Sequence, residues 1–222
     1  EIRKMKLPEV TVAIVGANGS TGRACAQALA RDENIGGFLL IDLPYRLDQL
    51  EREVAGPLRD GHQTVTTDYR LESLHQAHIV ITVTTAPGTI IRPEDLAEKS
   101  VVIDDSQPRN TSPEILNQRP DVTVVDVLAE VPGLNSHFDF NLVAERPDIA
   151  FTCLAEVAIL AAHQVESDWS VGYVTMDQVT RIAAMAPGVL SAAACVSRPR
   201  VSTRRSPASK SSAPAAVSAV YS

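Results

Sequence analysis

Two short segments carry residues whose types and spacing are suited to chemistry. The first is VAIVGANGSTGRACAQALA, in which Gly16, Gly19 and Gly22 follow a β-branched run and open a helical pattern. The second is DIAFTCLAEVAILAAHQ (148–164), in which Cys153 falls near the start of an apolar helical pattern. A glycine turn of this kind binds phosphate groups, and a thiol at a helix start can act as a nucleophile.

The glycine spacing is typical of a dinucleotide-binding turn. The first glycine lets the strand turn sharply, the second lets the backbone approach a pyrophosphate, and the third lets helix and strand pack closely. Asn18 lies inside the turn, and Ser20 and Thr21 add hydroxyl groups where free N–H groups and the helix dipole favour phosphate. The alternative is a glycine-rich turn that binds nothing. A strand before the turn and a helix after it favour the dinucleotide.

Further candidates for cofactor binding follow the later apolar runs. Asp42 ends the second run, where an acid usually holds the adenosine ribose diol and repels a 2′-phosphate, so it favours NAD. Arg46 could instead contact a 2′-phosphate, although a solvated position on the next helix is the simpler interpretation. Ligands of such folds bind at the carboxyl ends of the strands. That position is expected for Thr84, Thr85 and Pro87 in TTAPG (84–88), and for Ser106 in DDSQPRN (104–110).

Two acids in the last of these segments, Asp104 and Asp105, could form a carboxylate pair. Helix-capping and turn roles are the favoured interpretation for both, because aspartates at strand ends commonly bond nearby backbone N–H groups.

The segment around Cys153 predicts a helix that is apolar over a wide arc and therefore mostly buried. The pattern places Cys153 in the first turn, about one residue inside the helix start, with Thr152 or Asp148 as the possible cap. Unpaired backbone N–H groups there favour a thiolate, whereas free cysteines are most often buried packing residues. Both roles stay open on position alone. Cys25 and Cys195 are expected to be structural.

Alternating strand and helix patterns must position these residues. Six short apolar runs, separated by helical patterns, predict a doubly wound, Rossmann-like parallel sheet of the α/β class. They span 10–16, 37–42, 63–68, 78–86, 100–106 and 121–127. The helical patterns include 21–31 and the segments RLDQLEREVAGPL, LESLHQA, RPEDLAEK and SPEILNQ. After residue 127 the sequence predicts a loop, the helix with Cys153, and a last helix over 177–195 that Pro187 and Gly188 interrupt.

Charge and composition divide the chain into three parts. Residues 1–9 are a lead-in, 10–196 form the dinucleotide-binding domain with its helical C-terminal part, and 197–222 are a Ser/Ala/Pro-rich tail predicted to be disordered. The whole chain has a formal net charge of −7, but the tail carries five positive charges and no acid, which leaves −12 for the rest. The acidic body excludes extensive nucleic-acid binding. The tail is solvated or docks on an acidic partner.

The sequence also predicts a cytoplasmic protein. It contains no apolar run of eighteen residues and no signal segment, so neither a membrane span nor export is expected. Three widely spaced cysteines form no disulfide framework, which fits a reducing compartment. The five histidines make no metal-binding pattern, and His137 alone falls near the proposed site. No metal is predicted.

Four of these segments together resemble a known family. TVAIVGANGSTGRA, IDDSQPRN, HFDF and above all RPDIAFTCLAEVAIL are similar to the C-terminal, nucleotide-binding half of the cyanobacterial long-chain acyl-[acyl carrier protein] reductases. The resemblance covers roughly Thr11 to Cys195. It implies that Cys153 accepts the acyl group as a thioester from acyl carrier protein or CoA, and that NADPH reduces this thioester to an aldehyde.

The chain departs from that family in two ways. Family members carry a substantial N-terminal domain, whereas only EIRKMKLPE precedes the first strand here. The chain is therefore expected to be a fragment, to work with a partner subunit, or to be a divergent enzyme. The family's second strand also lacks the acidic ending at Asp42, which leaves both NADP and NAD open.

Two other functions remain. One is a Rossmann dehydrogenase of the quinate/shikimate type, without a cysteine nucleophile. The other is a non-catalytic nucleotide-binding subunit.

Overall fold

Eight strands and six α-helices make up the computed structural model. It describes residues 10–32, 35–134 and 148–190, together with the backbone of 192–197. The strands are β1 (Thr11–Val15), β2 (Gly37–Ile41), β3 (Val65–Asp68), β4 (Ile79–Thr82), β5 (Val101–Asp104), β6 (Thr123–Glu130), β7 (Ile149–Phe151) and β8 (Ala192–Ser197). The helices are α1 (Ser20–Leu29), α2 (Leu47–Leu50), α3 (Gly56–Asp60), α4 (Ile115–Gln118), α5 (Thr152–Ala162) and α6 (Met176–Met185). A π-helical turn (Glu51–Ala55) joins α2 and α3 into one continuous helical run.

The sheet confirms the predicted doubly wound α/β fold. Its first six strands lie in the order β3-β2-β1-β4-β5-β6, and every neighbouring pair among them is parallel. The strand order reverses between β1 and β4. In open α/β sheets this reversal creates a crevice at the carboxyl ends of the strands, where ligands bind.

Both faces of the sheet are buried, which is why its strands are almost continuously apolar. Val12, Ile14 and Leu40 pack against α1 and the helical run 47–60 on one face. Ala13, Val15 and Leu39 alternate with them and pack on the other face against Leu74, Ile91 and Ile115. The alternation follows from the period of two in a strand.

The second face is covered by shorter elements than the sequence predicts. The helices expected over LESLHQA and RPEDLAEK are 3₁₀ segments, Leu71–Gln76 and Pro93–Asp95, and the helix of SPEILNQ is the single turn α4. In the Pro93 segment the Asp95 carboxylate accepts the Arg92 N–H at 2.7 Å, as in a helix N-terminal capping box, but the segment ends after one turn.

The region after β6 differs most from the prediction. Ile149–Phe151, expected inside a helix, form β7, which pairs antiparallel with Leu128–Glu130. Residues 192–195, expected at the end of the last helix, belong to β8 (Ala192–Ser197), which pairs with Val125–Glu130. The eight residues of β6 extend beyond β5 and offer β7 and β8 backbone partners on both edges. This pairing overrides the helix propensity of an alanine-rich segment.

The remaining helix predictions for this region are partly confirmed. α6 ends at Met185, just before the Pro187-Gly188 pair that was expected to interrupt it. α5 begins at Thr152, so Cys153 lies one residue inside its start as predicted, but only Ala155 and Ile159 of that helix are buried. Leu154 and Val157 are 44% and 61% exposed, so the prediction that most of this helix is buried is wrong.

The predicted lead-in (1–9), the loop with His137 and the tail after residue 197 lie outside the described residues. Of the helices that the structure describes, none is long and apolar enough to cross a membrane.

Candidate functional site

The turn between β1 and α1 has the geometry that a phosphate-binding turn requires. Gly16 has φ +85°, and an added Cβ there would lie 2.9 Å from the Val83 carbonyl oxygen. At Gly22 an added Cβ would clash with the Gly16 carbonyl group and lie 2.8 Å from the Ala17 Cα. At Gly19 the tightest contact would be the Gly16 oxygen at 3.2 Å. Gly16 and Gly22 thus shape the turn, and Gly19 keeps its outer surface open.

Free backbone donors lie at the start of α1. The first intrahelical bond runs from the Arg23 N–H to the Gly19 carbonyl at 3.0 Å, and Gly19 offers no capping side chain. The N–H groups of Ser20, Thr21 and Gly22 precede that bond and therefore point out of the helix end without an intrahelical acceptor. They are available to an anion, which the helix dipole also favours.

A cleft of about 580 Å³ opens above this turn. It lies at the carboxyl ends of β1, β2 and β4, where the strand order reverses. Its lining includes Gly16, Gly19, Ser20, Thr21, Asp42, Arg46, Tyr69, Leu71, Thr84 and Thr85. Leu43, Leu71 and Ile90 are among its apolar lining residues. The cleft therefore combines apolar side chains with the glycine turn.

Not every predicted cofactor-binding residue lines the cleft. Asn18 and Ser106 are buried beneath it, Gly22 packs inside the turn, and Pro87 is exposed beside it. Asn18 supports the turn, because its Nδ2 donates to the Gln49 Oε1 at 3.0 Å and the Arg23 guanidinium donates to its backbone and side-chain oxygens.

The Asp42 carboxylate is oriented by the protein backbone. Its Oδ2 accepts the Asn18 N–H at 2.8 Å and its Oδ1 accepts the Leu43 N–H at 2.9 Å. The Arg46 guanidinium lies 3.8 Å from the same carboxylate. An acid and a base thus stand side by side at the end of β2, the position that a nucleotide ribose occupies in such folds.

A buried polar network fixes the loop after β4, and sequence reasoning missed its centre, Asn110. The Asn110 Nδ2 donates to the carbonyl oxygens of Ala86 and Gly88, and its Oδ1 accepts the hydroxyl groups of Thr82 and Thr84. Ser106 Oγ accepts the Thr84 N–H at 3.0 Å. Because Thr84 to Ala86 form one wall of the cleft, the network holds that wall in place. The signal available in the sequence was an asparagine in the polar segment DDSQPRN, which follows a predicted strand.

The two acids of DDSQPRN have different environments. Asp104 is buried and accepts the Ser106 N–H at 3.1 Å and the Thr111 hydroxyl at 2.6 Å, which is the turn role that the sequence favours. Asp105 accepts the Thr152 hydroxyl at 3.1 Å. Burial raises the pKa of the Asp105 carboxyl, the Thr152 hydrogen bond opposes this, and the neighbouring Asp104 charge raises it further.

Cys153 lies in the first turn of α5 and its side chain is exposed. The preceding residue, Thr152, ties this turn to Asp105 at the carboxyl end of β5. Since β4 and β5 are neighbours, the thiol lies near the edge of the sheet on which the cleft opens. Burial, followed by the charge of Asp105, raises the pKa of the Cys25 thiol, which fits its expected structural role. The side chain of Cys195 lies outside the described residues.

A second cleft, of about 440 Å³, lies on the other side of the loop after β4. Gly88, Arg109, Asp126 and Phe151 are among its lining residues, and Arg109 donates to Asp126 at 2.7 Å. Phe151 directly precedes the turn that carries Cys153. The loop 84–89 therefore contributes residues to both clefts, Thr84 to Ala86 to the first and Gly88 and Thr89 to the second.

The segment before α6 packs on the start of α1, a contact that the sequence did not indicate. The Val174 N–H donates to Ser20 Oγ at 3.0 Å, and the Tyr173 ring lies 4.0 Å from the Arg23 guanidinium. Ser20, predicted to bind the cofactor, thus also holds the C-terminal segment.

No family model and no curated protein matches this chain. Among solved structures, it is similar to the Δ1-pyrroline-2-carboxylate reductase of Thermococcus litoralis in complex with NADH and L-proline. The identity is 16% and the TM-score 0.41, over 51% of this chain and 36% of that one. It is also similar to the iminosuccinate reductase of Paracoccus denitrificans in complex with NAD⁺, at 12% identity and a TM-score of 0.41, over 49% and 34%. The chain thus matches about a third of the length of these two proteins. Such distant similarity concerns the fold alone.

Proposed function

We propose that the chain is an NAD(P)H-dependent reductase that converts acyl thioesters of acyl carrier protein or CoA to aldehydes through a thioester on Cys153. The observation that carries this proposal is the hydrogen bond from Thr152 to Asp105. It ties the turn that bears an exposed thiol to the sheet edge on which a nucleotide-type cleft opens.

The described residues fit a dinucleotide. The N–H groups of Ser20, Thr21 and Gly22 are available to the pyrophosphate, and Gly19 leaves room for it. Asp42, Arg46, Thr84 and Thr85 line the same cleft, where the first two would hold the ribose and the other two would form a wall beside the nicotinamide. When bound, the reduced nicotinamide supplies the hydride.

Cys153 is suited to the covalent step. Its thiolate attacks the acyl carbonyl, a new S–C bond forms, and the carrier leaves as a thiol after taking up a proton. First-turn N–H groups of α5 can stabilise the carbonyl oxygen as it becomes negative. After reduction the C–S bond breaks, the aldehyde leaves, and Cys153 returns to its starting state. One proton is consumed over the whole reaction.

Intact mass measurement tests this function. After incubation with a long-chain acyl-CoA, the native protein is expected to carry one acyl group and Cys153→Ser none. Serine keeps nearly the same volume but is a far weaker nucleophile. Cys25→Ser is the matched control and is expected to acylate like the native protein. Equal acylation of the native protein and Cys153→Ser would show that the acyl group sits elsewhere.

Cofactor binding is tested separately, by calorimetry with NADH and NADPH. Binding of either cofactor together with a Cys153 that never acylates would instead favour a non-catalytic subunit or a dehydrogenase without a cysteine nucleophile.

A further inference from the structure

Asp105 lies where three elements meet. Its backbone N–H donates to the Thr82 carbonyl at 3.0 Å, which anchors it at the ends of β4 and β5. Its carboxylate accepts the Thr152 hydroxyl at 3.1 Å, across 47 positions of sequence. On the third side lies Cys25 of α1, whose thiol responds to the charge of Asp105. The carboxylate therefore contacts the turn that carries Cys153 from within the sheet.

The groups that face Asp105 do not neutralise its charge. They are Asp104 from β5, Cys25 from α1 and Thr152 from α5. Within the ranges that the structure describes, no arginine or lysine forms an ion pair with it. An acid that is half-buried without a cationic partner costs stability. Such a cost calls for a role beyond packing.

The start of α5 needs an anchor of this kind. Its N-cap position is Phe151, which has no side-chain acceptor, so the first turn lacks a capping bond. The helix is also poorly buried, because Leu154 and Val157 face solvent. A first turn without a cap frays readily. Among the described residues, the Thr152 hydroxyl supplies the side-chain hydrogen bond that ties this turn to the sheet.

We propose that Asp105 is a positioning residue for Cys153: it holds Thr152 and thereby fixes the first turn of α5 against the carboxyl end of β5. Cys153 is named as the nucleophile only under the proposed function, on which this inference rests. The expected effect of the Thr152–Asp105 hydrogen bond on the reactivity of the Cys153 thiol does not depend on any acyl substrate. With the turn formed, the thiol is held at the start of a helix, a position that favours reactive thiols; with the turn frayed, that position is lost.

The tether is tested by the labelling rate of Cys153 with iodoacetamide, followed on the peptide that contains it by mass spectrometry. Thr152→Val removes the hydroxyl and keeps the shape, and it is expected to slow labelling at pH 7.5 by roughly 3- to 10-fold, the effect of one lost hydrogen bond. Thr152→Ser keeps the hydroxyl and is expected to label like the native protein. Thr180→Val removes an exposed hydroxyl from α6 and is the matched control, also with an unchanged rate.

The pH dependence of labelling distinguishes the positioning role from a general loss of structure. A dithiopyridine reagent reacts with thiols into the acidic range. With it, the native protein and Thr152→Ser are expected to show an extra fall in rate as Asp105 takes up its proton, above the ordinary aspartate value of about 3.9. Asp105→Asn keeps an acceptor for Thr152 but does not titrate, so its profile is expected to lack that step.

Two results would overturn the inference: an unchanged Cys153 rate in Thr152→Val, or the same acidic step in Asp105→Asn. If Thr152→Val does not fold, which circular dichroism shows, the Asp105→Asn profile alone decides. Failure of acylation with a Thr152-dependent labelling rate would contradict the proposed function and leave the tether standing.

Discussion

The Asp42 carboxylate lies beside the glycine turn, where the proposed cofactor would bring its adenosine ribose. Two backbone N–H groups fix its direction, and Arg46 is its charged neighbour. A 2′-phosphate bound here would meet a fixed negative charge and a guanidinium that can reorient. The preference between NAD and NADP therefore depends on the balance of these two side chains.

Removing the Asp42 charge and removing the Arg46 charge are expected to shift the preference between NADP and NAD in opposite directions. Asp42→Ala should raise the affinity for NADP relative to NAD by about tenfold, because a like charge near the 2′-phosphate is lost. Arg46→Ala should lower the same ratio. Titration calorimetry with both cofactors measures it. If Asp42→Ala leaves the ratio unchanged, the carboxylate does not face the 2′-position and serves only the turn.

Asp105 predicts a pH-dependent stability. Its pKa is raised in the folded state, so the ionised carboxyl disfavours folding above the ordinary aspartate value and has no effect below it. Asp105→Asn is therefore expected to raise the midpoint of thermal unfolding at pH 7 by about 2 °C, a small gain because the group is partly screened by water. The gain should fade as the pH is lowered toward about 4. A pH-independent gain, or an equal one in the exposed control Asp60→Asn, would contradict this origin.

Among single residues, the sequence predicts those candidate site residues whose roles depend on neighbours in the same short segment. The three glycines of the turn, Asp42 at its strand end and Cys153 near a helix start all follow from local spacing. The bond from Thr152 to Asp105 and the network around Asn110 do not, because each joins side chains that are far apart in the chain. Only the fold brings those partners together.

Among the elements, the unit formed by β1 and α1 depends on two glycines with different roles. Gly22 is where the helix rests on the turn, and a Cβ there has no space next to Gly16 and Ala17. Gly19 faces outward, and the contact of its Cβ with the Gly16 oxygen, at 3.2 Å, needs only a small adjustment. Folding should therefore be sensitive to substitution of Gly22, and ligand binding to substitution of Gly19.

Substitutions at the two positions test this division. Gly22→Ala is expected to destabilise the protein by about 1–3 kcal/mol, as overpacked sites do, and chemical unfolding measures the change. Gly19→Val should leave the free energy of unfolding within about 0.5 kcal/mol of the native value, as for surface sites. The same variant should abolish dinucleotide binding in calorimetry. Intact cofactor affinity in Gly19→Val would place the nucleotide site elsewhere.

The misassigned elements share a physical cause. LESLHQA and RPEDLAEK have helical composition but fold as 3₁₀ segments, and their Leu74 and Leu96 are buried against the sheet. The alanine-rich stretch before the tail becomes β8 because β6 is long enough to offer it a free edge. Helix propensity amounts to a few tenths of a kcal/mol per residue, so tertiary pairing overrides it.

For the molecule as a whole, the rhythm of strands and helices is enough to predict the sheet and its crevice. Six parallel strands with right-handed crossovers allow few orders, and the reversal between β1 and β4 follows. The C-terminal part could not be derived in this way. Its antiparallel strands carry no period that separates them from a helix, and its docking on α1 depends on Tyr173 and Ser20 contacts between distant segments.

The contact between Tyr173 and Arg23 is expected to hold the segment before α6 on α1. The Tyr173 ring lies 4.0 Å from the Arg23 guanidinium, and Arg23 in turn forms an ion pair with Glu53 at 2.6 Å. Tyr173→Ala removes the cation–π contact, worth about 1 kcal/mol at a partly exposed site. Amide hydrogen exchange in α6 should therefore become about fivefold faster, since 1.4 kcal/mol corresponds to tenfold. Tyr45→Ala, an exposed tyrosine on the loop after β2, should leave that exchange unchanged. Equal rates in both variants would show that α6 is held without the Tyr173 contact.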